Sequence, residues 1–383
     1  MSKVEHIVAH IEKTGKISMK KINLLLLGLL TTIAACSTQS YHANDEEDTL
    51  LALIKERQQA SANTTPFFNQ SAISVAQTGY LANPNVQAFI QYHSQKNHLD
   101  INYLNNFFAS VGYRGDIINI MNRPSTSRPW YVFEKDNASA SKIAAGARFY
   151  QQNRVAIDRA AAKYGVPASI IVAIIGIETN YGSYMGKMRT ADALATLAFD
   201  YPRRGAFFQQ ELAEFLQLAQ EEHRDPMSFT GSYAGAMGMP QFMPSSFRKW
   251  AVDANGDGYH DIWRNIDDVA ASVANYMKQH GWQTGGKMVI PVALTPTPQL
   301  NLLMEEKTAL NHTVKSLRQM GVVPLQSVDD NERAVLFRLE TASGQYQYFI
   351  GLNNFYTVWR YNNSRLYVMA VRNIANGVMG DGL

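Results

Sequence analysis

A ten-residue stretch without a polar face constrains the fold of this chain most. Residues 168–177 read Ala-Ser-Ile-Ile-Val-Ala-Ile-Ile-Gly-Ile. A helix with apolar side chains all round has to be enclosed by other elements. Pro167, directly before the stretch, is tolerated in a first helical turn and marks a helix start. The sequence therefore predicts a protein built around a buried helix.

The residue that follows this stretch is an acid, Glu178. Burial removes hydration from a carboxyl group, and the negative end of a helix dipole also disfavours its ionised form, so both effects raise its pKa. A carboxylic acid that stays protonated near neutral pH is what general-acid cleavage of a glycosidic bond requires. A glutamate that merely caps the helix end is the ordinary alternative.

A glycine-rich segment about fifty residues later has the composition of a sugar-binding loop. Residues 231–245 follow neither helical nor strand periodicity. Their small residues allow close backbone approach, while Ser232, Tyr233, Gln241 and Phe242 offer hydrogen bonds and flat apolar faces suited to sugar rings. The segment is predicted to contact a carbohydrate.

Periodicity predicts a mainly helical body with a small β-containing part. Apolar residues recur at three- and four-residue spacings in 85–97, 101–111, 141–164, 168–177, 205–222 and 268–280. After residue 286, strands are predicted at 288–294, 334–341 and 346–352, with a hairpin turn at 343–345, and a last helix near 365–376.

The N-terminus has the order of an export signal. Lys20 and Lys21 precede a short apolar run at 22–30, too short to span a membrane, and small residues lead to Cys36. Ile-Ala-Ala-Cys resembles the lipobox of bacterial lipoproteins, which implies acylation of Cys36; cleavage nearby that leaves a free thiol is the alternative. Met19 is the more natural start of such a signal.

Charge and cysteine content exclude several classes. Of 35 basic and 32 acidic residues, residues 1–35 hold five lysines and two glutamates, so 30 of each sign remain. A balanced remainder lacks the basic surface that nucleic acid requires. Cys36 is the single cysteine, which excludes an internal disulfide framework and a cysteine-based metal cluster.

Four motifs in order resemble the lytic murein transglycosylases of the membrane-bound B type. They are Ile-Glu-Thr-Asn-Tyr-Gly at 177–182 and the segments 192–204, 235–246 and 272–276. The resemblance runs from about residue 85 to about residue 371. It implies a lysozyme-like helical catalytic core with an N-terminal helical region and a small β-containing C-terminal subdomain.

The resemblance also implies a reaction and its acid. The family cleaves the β-1,4 bond between MurNAc and GlcNAc in peptidoglycan, and Glu178 matches its sole catalytic acid. By analogy, Glu178 protonates the glycosidic oxygen and then acts as base on the C6 hydroxyl of MurNAc, which leaves a 1,6-anhydro end. The usual second carboxylate of glycosidases is absent from this scheme. No catalytic cofactor is implied.

Candidate glycan contacts follow from the same resemblance. Ser232 and Gln241 match positions that contact sugar near the acid, with Phe242 and Tyr276 lining the groove. The segment 360–367 resembles a family motif that adds Tyr361, Asn362 and Tyr367. Ordinary packing of a closing helix is the alternative for these last three residues.

An Asp-rich loop reproduces half of an EF-hand. Asp253, Asn255 and Asp257 stand at positions 1, 3 and 5, and a glycine follows at position 6, but position 12 is not a glutamate. Asp267 or Asp268 is therefore needed to close a cation site, and an Asx-rich turn is the alternative. The family has a lengthened loop here, which implies Asp268 and the Tyr259 carbonyl as further ligands of a structural Ca²⁺.

These expectations define four segments: 1–35 as the signal, 36–66 as the lipidated N-terminus and flexible tether, 67–285 as the helical region with catalytic core and cation loop, and 286–383 as the β-containing subdomain and closing helix. The expected partners are peptidoglycan strands, a membrane bound through acylated Cys36, and proteins of cell-wall synthesis. The expected location is the periplasmic face of the outer membrane, with the inner membrane as an alternative.

Two other functions remain open at this point. A hydrolytic muramidase of the same fold would use water in place of the C6 hydroxyl. A non-catalytic peptidoglycan-binding lipoprotein would hold the envelope together without turnover.

Overall fold

Helices dominate the computed structural model, which describes residues 79–122, 128–380 and 382–383. The predicted signal, Cys36 and the tether lie outside these residues. The fourteen α-helices in the described ranges are α1 Pro84–Lys96, α2 Ile101–Ser110, α3 Gly115–Met121, α4 Trp130–Asn137, α5 Ala140–Tyr164, α6 Ala168–Thr179, α7 Thr190–Asp200, α8 Gly205–Glu221, α9 Pro244–Trp250, α10 Ile266–Gln279, α11 Pro298–Glu305, α12 Val314–Gln319, α13 Asn353–Tyr361 and α14 Arg365–Met379, and a 3₁₀ helix spans Pro226–Ser228.

The strands form one small sheet and one two-stranded ribbon. They are β1 Met188–Arg189, β2 Thr230–Gly231, β3 Val289–Ala293, β4 His312–Thr313, β5 Val323–Pro324, β6 Arg333–Ala342 and β7 Gln345–Gly351. β1 pairs with β2, and the five-stranded sheet has the order β4-β6-β7-β3-β5 with antiparallel neighbours. The expectation of a mainly helical protein with a small β-containing part is confirmed.

The apolar helix α6 lies at the centre of the helical body, as its sequence requires. Residues 169–176 are all buried, and the helix packs against α5, α10 and α14. Because neighbouring helices pack around α6, the position of this helix in the body is fixed. The position of the acid at its end is fixed with it.

A second, smaller apolar core lies under the sheet. Ile290, Leu300, Val314, Leu336 and Ile350 meet there between the strands and the helices α11 and α12. Arg365, the first residue of α14, ties this region to that helix. Its guanidinium donates to the carbonyls of Met304 and Glu306 and to Thr308 Oγ1. The helix that approaches the acid is therefore anchored to the sheet region.

Some elements carry no periodic signal and were not predicted. β4 and β5 have two residues each, too few to show alternation. The helix α7 is buried at every position from Thr190 to Phe199, so it shows no polar face either. The long helix α5 was expected, but its kink at Asn153, with φ −121° and ψ 19°, was not.

The described residues contain no single helix that is long and apolar enough to cross a membrane. Only the segment Trp130–Tyr164 taken with Ala168–Thr179, bent by 116°, meets that length and composition as a pair.

Candidate active site

Glu178 occupies the next-to-last position of α6, and its environment favours the protonated form. The residue is half-buried. Its Oε1 accepts a hydrogen bond of 2.7 Å from the hydroxyl of Tyr367 on α14. Burial raises the pKa of Glu178 to about 7, although the tyrosine hydrogen bond opposes this rise. The carboxyl is thus held where it can both give and take a proton near neutral pH.

No second carboxylate within the described ranges contributes to the pKa of Glu178. The next acid along the chain, Asp192, is engaged elsewhere. Its two oxygens accept from the guanidinium of Arg189 at 2.8 and 2.9 Å, and Oδ1 also accepts from the Gly112 amide. A glycosidase that uses two carboxylates places the second within about 10 Å of the first, and Asp192 is bound to Arg189 and Gly112 rather than to Glu178.

The turn that follows α6 holds the acid in place. Asn180 and Tyr181 both adopt left-handed backbone angles, with φ of 48° and 59°. The Tyr181 ring folds back over Gly176, where an added Cβ would lie 2.6 Å from the ring. Its hydroxyl donates to the Lys142 carbonyl at 2.8 Å. A strained turn that is fixed at both ends is common at functional sites.

Thr179, which the sequence did not single out, joins the acid's helix to the glycine-rich loop. Its hydroxyl lies 3.1 Å from the carbonyls of Ile175 and Met239 and accepts from the Gly182 amide at 3.1 Å. The loop therefore lies directly beside Glu178. No local signal in the sequence indicates this contact, because the partner is 60 residues away.

The glycine-rich loop folds back on itself rather than remaining open. Met237 exchanges backbone hydrogen bonds with Phe242, and the Ser232 amide donates to the Ala236 carbonyl. Ser232 Oγ accepts from the amides of Ala234 and Ala236 and donates no hydrogen bond within the described residues. Gln241 has φ 51°, and its Nε2 donates to the carbonyls of Met185 and Gly238.

A buried carboxylate fixes the end of this loop. Glu211 on α8 is 4% exposed and accepts from both the amide and the hydroxyl of Ser245, at 3.0 and 2.7 Å. These bonds cap the start of α9, which has no side-chain cap of its own. The sequence did not mark Glu211, because an acid on an amphipathic helix is expected to face solvent.

Four aromatic rings stand behind the acid. Phe242 is 2% exposed and Tyr276 is 8% exposed; that these two rings line the glycan groove stays a prediction. Tyr276 donates to the Arg360 carbonyl and Tyr361 to the Pro240 carbonyl. The Tyr361 ring lies between those of Tyr276 and Tyr367, with centroid distances of 4.7 and 6.5 Å.

The rings thus form an apolar surface behind the acid. Asn362, the remaining candidate of the segment 360–367, lies exposed between α13 and α14. The hydroxyl of Tyr367 is the one that reaches the acid, across 189 residues of sequence. This residue therefore contacts the catalytic candidate itself in addition to any sugar.

The Asp-rich loop is an exposed turn closed by its own backbone. Asp253 accepts from the amides of residues 256, 257 and 258. Asn255 Nδ2 donates to Asp257 Oδ2, and Asp257 Oδ1 accepts from the Tyr259 amide. Among the described residues, no three His, Cys, Asp or Glu side chains are grouped closely enough to hold a metal ion.

Asp268 and Asp267, the two candidates for the closing ligand, have different contacts. Asp268 is fully buried and accepts from the amides of Ala254 and Asp261, at 2.8 and 2.9 Å, so it lies against the loop. Asp267 forms an ion pair with Arg159 at 2.6 Å instead. The donor types fit calcium, whereas the present arrangement keeps the oxygens on backbone amides.

Comparisons with known proteins identify relatives over most of the chain. The family described as "Transglycosylase SLT domain" matches residues 82–376. The membrane-bound lytic murein transglycosylase B of Escherichia coli (strain K12) is 36% identical over 374 residues, which is 94% of this chain and 98% of that protein.

Solved structures of lytic transglycosylases are also similar to this chain. The Escherichia coli lytic transglycosylase Slt35, in complex with calcium, has a TM-score of 0.70 and 37% identity, and the match covers 79% of this chain and 96% of Slt35. SltB3 from Pseudomonas aeruginosa, in complex with NAG-NAM-pentapeptide, has a TM-score of 0.67 and 32% identity, over 78% of this chain and 79% of SltB3. The chain belongs to the lytic transglycosylase family of peptidoglycan-cleaving enzymes.

Proposed function

We propose that Glu178 is the single catalytic residue of this transglycosylase and serves first as acid and then as base. Protonation of the glycosidic oxygen releases GlcNAc from C1 of MurNAc. The carboxylate then accepts the proton of the C6 hydroxyl while that oxygen attacks C1, which closes the 1,6-anhydro ring. The proton balance is restored without water, because Glu178 ends the cycle protonated again.

The raised pKa of Glu178 is the observation that carries this proposal. A group with a pKa of about 7 is present in both protonation states at neutral pH, as an acid that becomes a base requires. The carboxylate formed midway is stabilised by the hydrogen bond from Tyr367. The absence of a second perturbing carboxylate among the described residues fits a nucleophile that comes from the substrate.

Mass spectrometry of the fragments released from purified peptidoglycan tests the reaction. Residues 37–383 are expected to release products that end in 1,6-anhydroMurNAc. Reducing MurNAc ends would instead establish a hydrolytic muramidase on the same fold. Release of no product at all, with retained binding to peptidoglycan, would establish a non-catalytic lipoprotein.

Replacement of Tyr367 by Phe is expected to shift the pH dependence of turnover. The hydroxyl donates to the carboxylate and lowers its pKa, so its removal raises the pKa of Glu178. The alkaline limb of the rate profile should move up by about one pH unit, and kcat should fall about tenfold because the intermediate carboxylate loses a donor. Rate profiles between acid and alkaline pH measure both effects.

Tyr103→Phe is the matched control, since that hydroxyl donates to the Leu216 carbonyl. A purely structural role for Tyr367 would lower kcat without moving the alkaline limb, and this result would contradict the assignment.

We also infer that the Asp-rich loop binds a structural Ca²⁺ through Asp253, Asn255, Asp257, the Tyr259 carbonyl and Asp268. The support is the EF-hand spacing, the burial of Asp268 against the loop, and the solved calcium complex of the relative Slt35. The loop leads into α10, which packs against α6, so the ion would stabilise the helical body.

Chelation of calcium is expected to lower the melting temperature by several degrees. An ion present at a hundredfold excess over its Kd stabilises a fold by about 2.7 kcal/mol. Thermal unfolding with calcium and with chelator measures the difference. Asp257→Asn should remove most of the calcium-dependent shift, while Asp136→Asn, on the exposed end of α4, should keep it. An unchanged transition in the unaltered protein would establish the Asx-rich turn.

We further infer a two-part glycan groove and a lipid anchor. Residues 67–285 would supply the catalytic body and residues 286–383 its closing part, which is supported by the separate core under the sheet and by Tyr367 reaching Glu178 from α14. Acylated Cys36 would hold the enzyme on the periplasmic face of the outer membrane. Its support is the lipobox resemblance and the membrane-bound relative.

A further inference from the structure

A cleft of about 490 Å³ adjoins the glycine-rich loop on the side of the Asp-rich loop. Its lining includes Met185, Arg224, Thr230, Tyr259, Trp263 and Arg264. The mechanism proposed for Glu178 uses none of these side chains. We call this space the arginine cleft, after the two arginines on its wall.

In the described part of the chain neither guanidinium donates a hydrogen bond or forms a close ion pair, although the charge of Arg224 acts on the pKa of Glu222, which lines the same cleft. Arg224 lies flat over the rings of Phe229 and Trp263, at 4.1 and 4.8 Å. Arg264 is exposed, and within the described ranges its backbone amide, not its guanidinium, forms a hydrogen bond. A stacked guanidinium keeps its N–H edges free, so the cleft offers forked donors that fit a carboxylate.

The acids of the cleft are already occupied. Glu222 is 8% exposed and accepts from His260 Nδ1 at 2.7 Å and from the His260 amide. Asp261 Oδ1 accepts from the amides of Trp263 and Arg264, and Asp257 is bonded within its own loop. The acids keep their charges, but their lone pairs accept hydrogen bonds from within the protein, whereas the N–H groups of the two arginines donate none within the described residues; the cleft therefore offers a ligand hydrogen-bond donors from these two side chains.

The cleft is continuous with the loop beside the acid. Met185, on its wall, accepts a 3.2 Å hydrogen bond from Gln241 through its carbonyl. Thr230 and the adjacent Gly231 pair with β1, and an added Cβ at Gly186 would lie 2.0 Å from the Gly231 carbonyl oxygen. A polymer bound at Gln241 therefore has the arginine cleft as its neighbour.

We propose that the arginine cleft binds the peptide stem of a muramoyl residue, with Arg224 and Arg264 pairing with its carboxylates. This inference rests on the proposed function, because it assumes a peptidoglycan strand at Glu178. A pentapeptide carries at least its terminal carboxylate and spans about 17 Å when extended, which allows a stem attached to a sugar near Gln241 to enter the cleft. Tyr259, 54% exposed, offers an apolar face for the stem.

Two forms of the same substrate test the proposal. Glycan strands with intact pentapeptide stems are compared with strands from which an amidase has removed the peptides, at constant calcium and ionic strength. The double variant Arg224→Gln/Arg264→Gln is expected to raise KM about tenfold on peptide-bearing strands. On peptide-free strands its KM and kcat should equal those of the unaltered enzyme.

Arg333→Gln is the matched control, since that exposed arginine of β6 lies at the sheet. If the double variant has a lower melting temperature than the unaltered enzyme, the single variant Arg264→Gln replaces it in the test. Its KM on peptide-bearing strands is expected to rise about threefold. An equal rise on both substrates, or no rise on peptide-bearing strands, would overturn the proposal. Failure of the unaltered enzyme to form 1,6-anhydro ends on either substrate would instead overturn the proposed function.

Discussion

Glu178→Gln is expected to lower turnover of peptidoglycan by about a thousandfold or more. General acid catalysis contributes about 10² to 10⁴ to a rate, and here one carboxyl supplies both the acid and the base. A carboxamide neither donates a proton to the glycosidic oxygen nor accepts one from the C6 hydroxyl. Its shape is nearly that of the acid, so the hydrogen bond from Tyr367 can be kept.

The measurement is the rate of anhydro-product release, together with binding of the variant to peptidoglycan. Binding should be retained, because the substitution leaves the loop contacts in place. Glu305→Gln is the matched control. Glu305 is the last residue of α11, is exposed, and forms an ion pair with Arg338 of β6. Turnover close to that of the unaltered enzyme would contradict the assignment of Glu178.

The same substitution is expected to stabilise the fold at alkaline pH. The folded state holds the proton of Glu178 up to a pH of about 7, whereas the unfolded chain releases it near pH 4.5. The folded state therefore loses stability as pH rises from the lower to the higher of these values, and the loss is complete above about pH 7. This pKa shift corresponds to a loss of about 3 kcal/mol in the free energy of unfolding. The Glu178→Gln variant does not lose it, because a carboxamide carries no charge.

Thermal unfolding on both sides of this window measures the effect. Above pH 7 the variant should melt about 6 °C higher than the unaltered enzyme, and below about pH 4.5 the two should melt together. Glu305→Gln should show no such pH-dependent gain. A variant that is equally stable or less stable at alkaline pH would show that burial does not penalise the charged carboxylate.

Sequence reasoning was strongest where one chemical requirement dominates. The apolar run at 168–177 can only be a buried element, and the structure encloses it between α5, α10 and α14. An acid placed at its end then has to lose hydration, which is the direction of the pKa shift found for Glu178. The long strands β6 and β7 were predicted for a similar reason, since each shows a β-rich run beside a glycine turn.

Contacts between distant residues were beyond the reach of local patterns. The bond from Tyr367 to Glu178 and the bonds from Ser245 to Glu211 depend on how α14 and α8 pack, and neither helix carries a signal for it. The burial of Phe242 likewise follows from the backbone pairing of residue 237 with residue 242, which turns the ring inward. The ion pair between Asp267 and Arg159, which distinguishes Asp267 from Asp268, likewise has no local signal in the sequence.

The protonation state of Glu178 is best measured by difference infrared spectroscopy. Spectra of the unaltered enzyme minus those of Glu178→Gln isolate the carboxyl band of this one residue, followed from about pH 4 to about pH 9, a range that spans ordinary and raised carboxyl pKa values. A band of the protonated acid that disappears with a midpoint near pH 7 is predicted. A midpoint near 4.5, the ordinary value for a glutamate, would contradict the account of how the buried helix makes this residue an acid and a base.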